Sequence, residues 1–411
     1  MLSELFAARW RIRALRDRPA SALLEGFAKA LSQIRYAPIT VRRHLRAAEH
    51  FIDWTDRHRL SVPDLNVQTL ARFGRHLRRG RCVFAHADPI GMLNGARIFL
   101  THLRDAQVIP ASALQEPVTE PVLLSAFAQW MRQQRGTCET TLSAYGRHIR
   151  EVLHQLGEEP SRWDAHSLRA FVLGKSRSCG WAAVKRCTTA LRGFVRFLIA
   201  QGHCAVDLDA AIPTIAHWRL AALPRYLQPD DVERVIDSCD QTSPVGRRNR
   251  AILLLLARLG LRAGDIVDLR LRDIDWKEAW IRVSGKSLRE TRLPLTQEVG
   301  QAIITYLQHG RPQTTTETVF VRSRPPFRAL ASSTAVAKIA RQALNRTGVV
   351  RPGRGAAHLL RHSVATSMLR QGASLQDIGA LLRHRSLATT QIYAKVDVTA
   401  LQAIAQPWPE V

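Results

Sequence analysis

Apolar residues recur at every third or fourth position from residue 20 to about residue 210, with glycine and proline between the runs. This spacing lines one face of a helix, so the whole stretch is predicted to be helical. The segments LRLRDIDW, AWIRVSG and TRLPL, near residue 280, are predicted to be short strands, the last two joined by a hairpin around GKSLRE. Helical spacing then returns and continues to about residue 405. The predicted fold is mainly α with a small antiparallel β-sheet.

Two proline-rich stretches divide the chain. VIPASALQEPVTEP separates two helical parts, and AIPTIAHWRLAALPRYLQPDD precedes a helix that begins at Pro229. We predict an N-terminal helical DNA-binding region at 1–112, a second helical domain at 113–215 and a third domain at 222–411. Similar basic helices, TVRRHLRAAEHFIDW and TLSAYGRHIREVLHQL, occur in the first two parts. Either one helical unit is duplicated, or an arginine-rich composition produces the likeness.

The charge of the chain selects a class of partner. Lys and Arg number 60 against 34 Asp and Glu, which gives a net charge of +26 spread along the sequence. Such a surface favours a polyanion, so nucleic acid is the predicted partner and an anionic membrane the alternative. The most apolar run, AILLLLARLGL from Ala251, meets Arg258 too early to span a bilayer and is predicted to be a buried helix. The N-terminus lacks the apolar core of a secretory signal.

Metal and nucleotide motifs are incomplete in this sequence, so no cofactor is predicted. GKS at 285–287 lacks the preceding glycine of a phosphate-binding loop, and HLLRH at 358–362 lacks the glutamate of a helical zinc site. A deaminase-type zinc site needs closely spaced cysteines. The six cysteines show no such spacing and are predicted to be reduced, as in a cytosolic protein: Cys82, Cys138, Cys179, Cys187, Cys204 and Cys239.

Several side chains suited to phosphate chemistry lie in the last 150 residues. His358 and Arg361 are three positions apart on a predicted helix, so a proton-transferring imidazole and a guanidinium fork share a face. The alternative for this pair is a helix end with a solvated arginine and a capping histidine. Arg262 lies in a turn before an apolar helix, Lys286 at the hairpin tip, and His384 shortly before another helix.

Tyr393 ends the segment RHRSLATTQIYA. Taken alone, it is an ordinary aromatic at the edge of a core, with Leu387 and Ile392 on the face turned inward. Ser386 is the predicted N-cap of the helix that carries it. His384, nine residues earlier, connects Tyr393 to the phosphate-binding candidates.

These residues resemble the tyrosine recombinases of the phage integrase family. HLLRHSVATSMLRQGASLQDIGALLRHRSLATTQIYAKVD matches the last block of the family, with its H-x-x-R-H helix and its LL-x-H-x-S-x-x-T-T-x-x-Y spacing. ARLGLRAGDIVDLRLRDID matches the block around the first arginine, and VSGKSLRETRLPL the lysine hairpin. The match spans about 225–400. Residues 118–208 resemble the helical core-binding domain more loosely, and residues 1–110 exceed the minimal two-domain form.

The resemblance implies a set of catalytic residues, all of them present: Arg262, Lys286, His358, Arg361, His384 and the nucleophile Tyr393. Asp265 keeps a carboxylate where many relatives have glutamate. The implied architecture is one or two helical SAM-like core-binding domains and a catalytic domain that close on double-stranded DNA as a C-shaped clamp.

The implied reaction is site-specific recombination through a 3′-phosphotyrosine, without metal or ATP, because the intermediate retains the bond energy. Arg262 and Arg361 would hold the phosphate with His384 as a further donor, Lys286 would protonate the departing 5′-oxygen, and His358 would accept the tyrosine proton. The competing hypotheses are a DNA-binding protein without catalysis and a type IB topoisomerase, which relaxes supercoils through the same intermediate.

The resemblance also implies an assembly. The segment VDVTALQAIAQPW, after Tyr393, either packs on its own domain or links the subunits of a DNA-bound tetramer. Accessory recombinases or DNA-bending proteins are further implied partners, in the cytoplasm and at the bacterial nucleoid. A phage, a transposon, another integrative element and the host chromosome all remain open as the DNA served.

Overall fold

The N-terminal part of the chain folds into helices around one apolar core. The computed structural model of the protein describes residues 2–6, 8–17, 20–79, 88–111, 120–215, 223–284, 290–350, 355–384 and 386–396. The helices here are α1 (Leu2–Leu5), α2 (Arg9–Arg16), α3 (Ser21–Gln33), α4 (Pro38–Arg57), α5 (Val67–Arg78) and α6 (Pro89–Asp105). Their core contains the fully buried rings of Phe27, Phe51, Phe73 and Phe99.

Polar caps set the ends of these helices. The Asn66 side chain accepts a hydrogen bond from the Thr69 amide at the start of α5, and the Asp88 carboxylate accepts from the first amides of α6. Such side chains satisfy amides that have no partner within their own helix.

The next helical part has its own core. Its helices are α7 (Val122–Arg135), α8 (Glu139–Leu156), α9 (Ala165–Ser178) and α10 (Trp181–Ala200). Phe127 and Phe194 meet edge to face at its centre, with ring centroids 5.3 Å apart. The helices α3 to α6 have 13, 20, 12 and 17 residues, and α7 to α10 have 14, 18, 14 and 20. In both parts the second helix packs on the fourth. The duplication of one helical unit is still a prediction.

The chain divides into two compact units that differ from the three predicted domains in their grouping. Residues 115–219 form one unit, and residues 1–114 together with 220–411 form the other. Within the latter, the N-terminal helices and the C-terminal part keep separate apolar cores. A hydrogen bond of 2.8 Å from Arg35 Nη2 to Gln313 Oε1 joins them. No helix of the described residues is both long and apolar enough to cross a membrane.

The C-terminal part is organised around a fully buried helix. It begins with α11 (Pro229–Asp237), α12 (Pro244–Ala257) and α13 (Ala263–Asp268). The α12 residues 251–256 are inaccessible to solvent on every face, which confirms the buried helix predicted from AILLLLA. A helix apolar all round must be surrounded by other elements, and α11, α13, α14 (Gln297–His309), α15 (Ser333–Thr347) and α16 (Ala356–Arg370) pack on α12.

A small antiparallel sheet lies between α13 and α14, as the change of sequence period predicts. Its strands are β1 (Ile274–Asp275), β2 (Trp280–Ser284) and β3 (Glu290–Pro294), in the order β1-β2-β3. Ile281 pairs with Leu293, and both are buried. The prediction of a strand over LRLRDIDW was wrong for most of its length, because Leu271–Asp273 form a 3-10 turn that ends with Asp273 accepting a bond from the Arg270 amide. The hairpin tip at 285–289 lies outside the described residues.

The chain ends its described part in short helices. They are α17 (Leu375–Leu381), α18 (Leu387–Thr390) and a 3-10 helix at Gln391–Val396. A small core of Ala365, Leu369, Ile378, Leu382 and Tyr393 joins them to α16. These elements surround the phosphate-binding candidates.

Candidate active site

The helix α16 carries a buried arginine. Arg361 is 4% exposed, and its guanidinium donates to the carbonyl oxygens of Gly260 and Leu382. Burial lowers the pKa of Arg361 to about 10, with further lowering from the nearby charges of Arg262 and Arg383. A guanidinium kept out of water must be held by hydrogen bonds, and the two carbonyls fix its place.

A second arginine reaches the same carbonyl. Arg262 stands at the N-cap position of α13, where its amide donates to Asp265 Oδ2 over 3.0 Å. Its Nη2 donates to the carbonyl oxygens of Leu382 at 3.3 Å and Arg383 at 3.1 Å. Burial lowers the pKa of Arg262, and the Arg383 charge lowers it further. Arg262 and Arg361 therefore lie side by side at the oxygen of Leu382.

The turn after α17 supplies these acceptors. The C-terminal carbonyls of a helix have no partner in their own helix and carry partial negative charge, so they attract cations. Leu382 is the C-cap of α17, and the following residue, Arg383, makes an ion pair with Asp265 in which both side chains are only 7% exposed. One turn thus connects both arginines of the site with the carboxylate that caps α13.

His384 follows directly in this turn. Its Nδ1 lies 2.8 Å from Thr390 Oγ1, and Thr390 is fully buried. This contact fixes the orientation of the ring. Burial lowers the pKa of His384 to about 4, assisted by the positive charges of Arg361 and Arg262, so the imidazole is neutral at pH 7.

The tyrosine lies within the protein, against α16. Tyr393 is 1% exposed, and its hydroxyl oxygen is 2.6 Å from Nδ1 of His362. Burial raises the pKa of Tyr393 to about 12, and the positive charge of Arg361 opposes this rise. Burial also lowers the pKa of His362 to about 4. At neutral pH the phenol therefore keeps its proton, and the imidazole beside it is neutral.

Comparison with known proteins identifies the fold and its family. The model described as "Phage integrase family" matches residues 225–399, and "Phage integrase, N-terminal SAM-like domain" matches residues 124–202. The chain is 34% identical to the putative integrase/recombinase y4rA of Sinorhizobium fredii (strain NBRC 101917 / NGR234), over 95% of each chain. The chain belongs to the phage integrase family. It is a tyrosine recombinase, which confirms the resemblance seen in the sequence.

Two further relatives match two-thirds or more of this recombinase. Tyrosine recombinase XerC of Lactobacillus leichmannii is 30% identical over 67% of this chain and 95% of its own. A lambda integrase tetramer bound to a Holliday junction matches 77% of this chain and 89% of its own with a TM-score of 0.53. At 18% identity the latter likeness shows the fold alone, and it agrees with the predicted fold class.

The recombinase structure brings four of the six predicted residues together: Arg262, Arg361, His384 and Tyr393. His358 is exposed on α16, with its ring centroid 6.4 Å from that of His362. Lys286 lies outside the described residues. The roles assigned to all six stay predictions.

Two local expectations around Tyr393 are corrected. Ser386 does cap α18, since its Oγ accepts a bond from the Ala388 amide. However, α18 ends at Thr390 and Tyr393 lies in the 3-10 helix that follows. Leu387 was expected to face the core but is 47% exposed. Ile392 does pack against the small core around Tyr393.

Three residues that contact the site were not predicted from the sequence: His362, Arg383 and Thr390. In the sequence, His362 stands out only as half of an incomplete zinc motif, yet it contacts the tyrosine hydroxyl. Arg383 and Thr390 were read only as part of the spacing around His384. The one signal for His362 was its position four residues after His358, which puts both imidazoles on one face of α16.

Proposed function

We propose that this recombinase cleaves double-stranded DNA at a specific site by attack of Tyr393 on a phosphodiester. The phenolic oxygen forms a bond to phosphorus, the bond to the 5′-oxygen breaks, and a 3′-phosphotyrosine and a free 5′-hydroxyl result. The observation that carries the proposal is the assembly of Arg262, Arg361 and His384 around one turn. Tyr393 is close enough to Arg361 for the arginine charge to lower its pKa. A phenol is a tolerable leaving group, so a second 5′-hydroxyl can reverse the step on another strand.

The two arginines and His384 stabilise the transition state. As phosphorus becomes pentavalent, negative charge gathers on its non-bridging oxygens. Arg262 and Arg361 are already fixed by carbonyls, so donating their remaining N–H groups to those oxygens needs little reorganisation. We assign to the neutral His384 the tautomer with its proton on Nε2, in which Thr390 donates to Nδ1 and Nε2 adds one more donor to the phosphate.

Proton transfer needs an acceptor for the tyrosine and a donor for the leaving group. The family pattern gives the first role to His358 and the second to Lys286. His362 is the imidazole in direct contact with the Tyr393 hydroxyl, and its low pKa keeps it neutral and able to accept. We therefore assign acceptance of the tyrosine proton to His362. His358 lies one turn earlier on α16.

The proposed domains, DNA binding and tetramer are based on the family and on the net charge of the chain. We propose three domains, at 1–112, 113–215 and 222–411, with DNA held between the helical domains and the catalytic domain. The net charge of +26 supports a large electrostatic contribution to DNA binding. The related lambda integrase, solved as a tetramer on a Holliday junction, supports a tetramer here. Cytoplasmic action on a mobile element, with accessory recombinases or DNA-bending proteins, completes the proposal.

A suicide substrate tests the function. DNA from the ends of the element that carries the gene, nicked close to the cleavage point, should trap a covalent protein–DNA band with the wild type and none with Tyr393→Phe. Tyr306→Phe is the matched control, because Tyr306 is equally buried. The substitution also removes a hydroxyl, one that accepts a hydrogen bond from the Val321 amide. Absence of a band with the wild type would favour a DNA-binding protein without catalysis. Relaxation of supercoiled DNA without strand exchange would favour a topoisomerase.

A further inference from the structure

The turn before His384 has an arginine where a glycine is expected. The Arg383 amide donates to the Ala380 carbonyl over 3.0 Å, and the His384 amide donates to that of Gly379 over 2.9 Å. This pair of bonds is the Schellman ending of a helix, whose left-handed residue is usually glycine. Arg383 occupies that place with φ of 52°. A side chain in this region is held against steric strain, so its surroundings must stabilise it.

The Arg383 side chain is buried but only partly satisfied. Its Nη2 donates to Asp265 Oδ2. Its Nε and Nη1 are also buried, and they have no acceptor among the described residues. Buried N–H groups of a guanidinium normally have acceptors, and leaving them without one is costly. Because the Nε–H and Nη1 point to different sides of the guanidinium, an oxygen atom of a bound anion would supply the acceptor that Nη1 lacks.

The surroundings of Arg383 are those of the reacting phosphate. Its own carbonyl accepts the bond from Arg262 Nη2, and its charge acts on both Arg262 and Arg361. Among the described residues, Asp265 is the one carboxylate whose charge opposes theirs. Three guanidinium groups against one carboxylate leave an excess of two positive charges. A phosphodiester carries one negative charge, and the pentavalent species formed by a phenolate carries two.

We propose that Arg383 is a third phosphate-binding arginine, whose Nη1 donates to a non-bridging oxygen of the scissile phosphate. Asp265 holds the guanidinium through Nη2, on the side that also carries the Nε–H, and thereby leaves Nη1 for the phosphate. The inference rests on the proposed function, because it assigns a further ligand to the same reacting group. The alternative role for Arg383 is that of a counter-ion for Asp265 alone.

Two variants separate these roles. Arg383→Gly removes the guanidinium and places the preferred residue in the left-handed turn, so the helix ending is kept. Arg383→Lys retains a cation for Asp265 but loses the planar fork. Both are compared with the wild type on the nicked suicide substrate, once with a normal scissile phosphate and once with a methylphosphonate, in which a methyl group replaces one non-bridging oxygen and its charge. Thermal unfolding of each variant, read by circular dichroism, shows that the turn is intact.

Phosphate binding by Arg383 predicts that both variants form the phosphotyrosine about 100-fold more slowly on the normal substrate. The defect of each variant relative to the wild type should shrink to about tenfold or less on the methylphosphonate, where less charge needs to be neutralised. If Arg383→Lys cleaves at the wild-type rate, or if the defects are equal on both substrates, Arg383 serves Asp265 only. Should Arg383→Gly unfold, Arg383→Lys alone decides between the two. Failure of the proposed function looks different, since the wild type itself would then form no adduct.

Discussion

The hydroxyl oxygen of Tyr393 lies 2.6 Å from Nδ1 of His362. The two residues are 31 positions apart, and both lie at the interface between α16 and the last 3-10 helix. The distance is typical of a hydrogen bond between a phenol and a neutral ring nitrogen. It gives the nucleophile a proton acceptor before DNA is bound, while burial keeps the phenol in its protonated form.

Removing this acceptor should slow cleavage. In His362→Phe the Tyr393 proton has no acceptor in contact, so the rate of phosphotyrosine formation should fall by about 100-fold at pH 7, with DNA affinity unchanged. The rate is measured by single-turnover cleavage of the suicide substrate, and the affinity by gel shift. His309→Phe, at an exposed position on α14, is the control and should match the wild type. A wild-type rate in His362→Phe would show that the contact plays no part in cleavage.

A sulfur leaving group should separate the two proton transfers. A thiolate departs without being protonated, so Lys286→Ala should be slow on normal DNA but close to wild type on a substrate with a 5′-bridging phosphorothiolate. His362→Phe should remain slow on both, because its defect concerns the attacking oxygen. The comparison uses initial rates of adduct formation. An equal defect of Lys286→Ala on both substrates would remove Lys286 from the role of general acid.

Gly260 supports Arg361 through its backbone. It has φ of 57°, its carbonyl accepts from Arg361, and an added Cβ would lie 2.8 Å from Leu382 Cδ2. Gly260→Ala should therefore lower the free energy of unfolding by at least about 1 kcal/mol and also slow cleavage by displacing Arg361 and Leu382. Gly264→Ala is the matched control, because an added Cβ at this helical position would have no atom of the described residues within 4 Å. Urea unfolding measures the free energy of unfolding of both variants. Equal values would show that the site accommodates the extra methyl group without loss of stability.

How far the sequence predicts this site depends on what each residue reveals locally. Tyr393, Arg262 and Arg361 could be found because a spaced motif marks them, and α12 because its apolar run is too long for a surface helix. The contact of His362 with Tyr393 depends on how the last 3-10 helix returns to α16, which no local spacing specifies. The role of Arg383 is still harder to predict from the sequence. Its left-handed backbone and its burial against Asp265 arise from packing between α13 and α17, and a surface arginine at a helix end has the same local sequence.

Two half-buried histidines of the site should make stability depend on pH below neutrality. His362 and His384 have pKa values of about 4 in the folded protein, against about 6.5 when unfolded. Between these values the unfolded chain binds protons that the folded chain does not, so stability is complete above pH 6.5 and declines as pH falls towards 4. The loss between pH 7 and pH 5 should be about 2 kcal/mol for each histidine.

The histidine responsible can be identified by substitution. His362→Gln removes one titrating ring but keeps a side-chain oxygen near the Tyr393 hydroxyl, so the difference in unfolding free energy between pH 7 and pH 5 should shrink. His309→Gln, whose ring is exposed, should leave the difference as it is in the wild type. Urea unfolding at the two pH values measures it. An unchanged difference in His362→Gln would mean that the His362 ring can be protonated within the fold, where its Nδ1 would donate to the Tyr393 oxygen and could not accept the tyrosine proton.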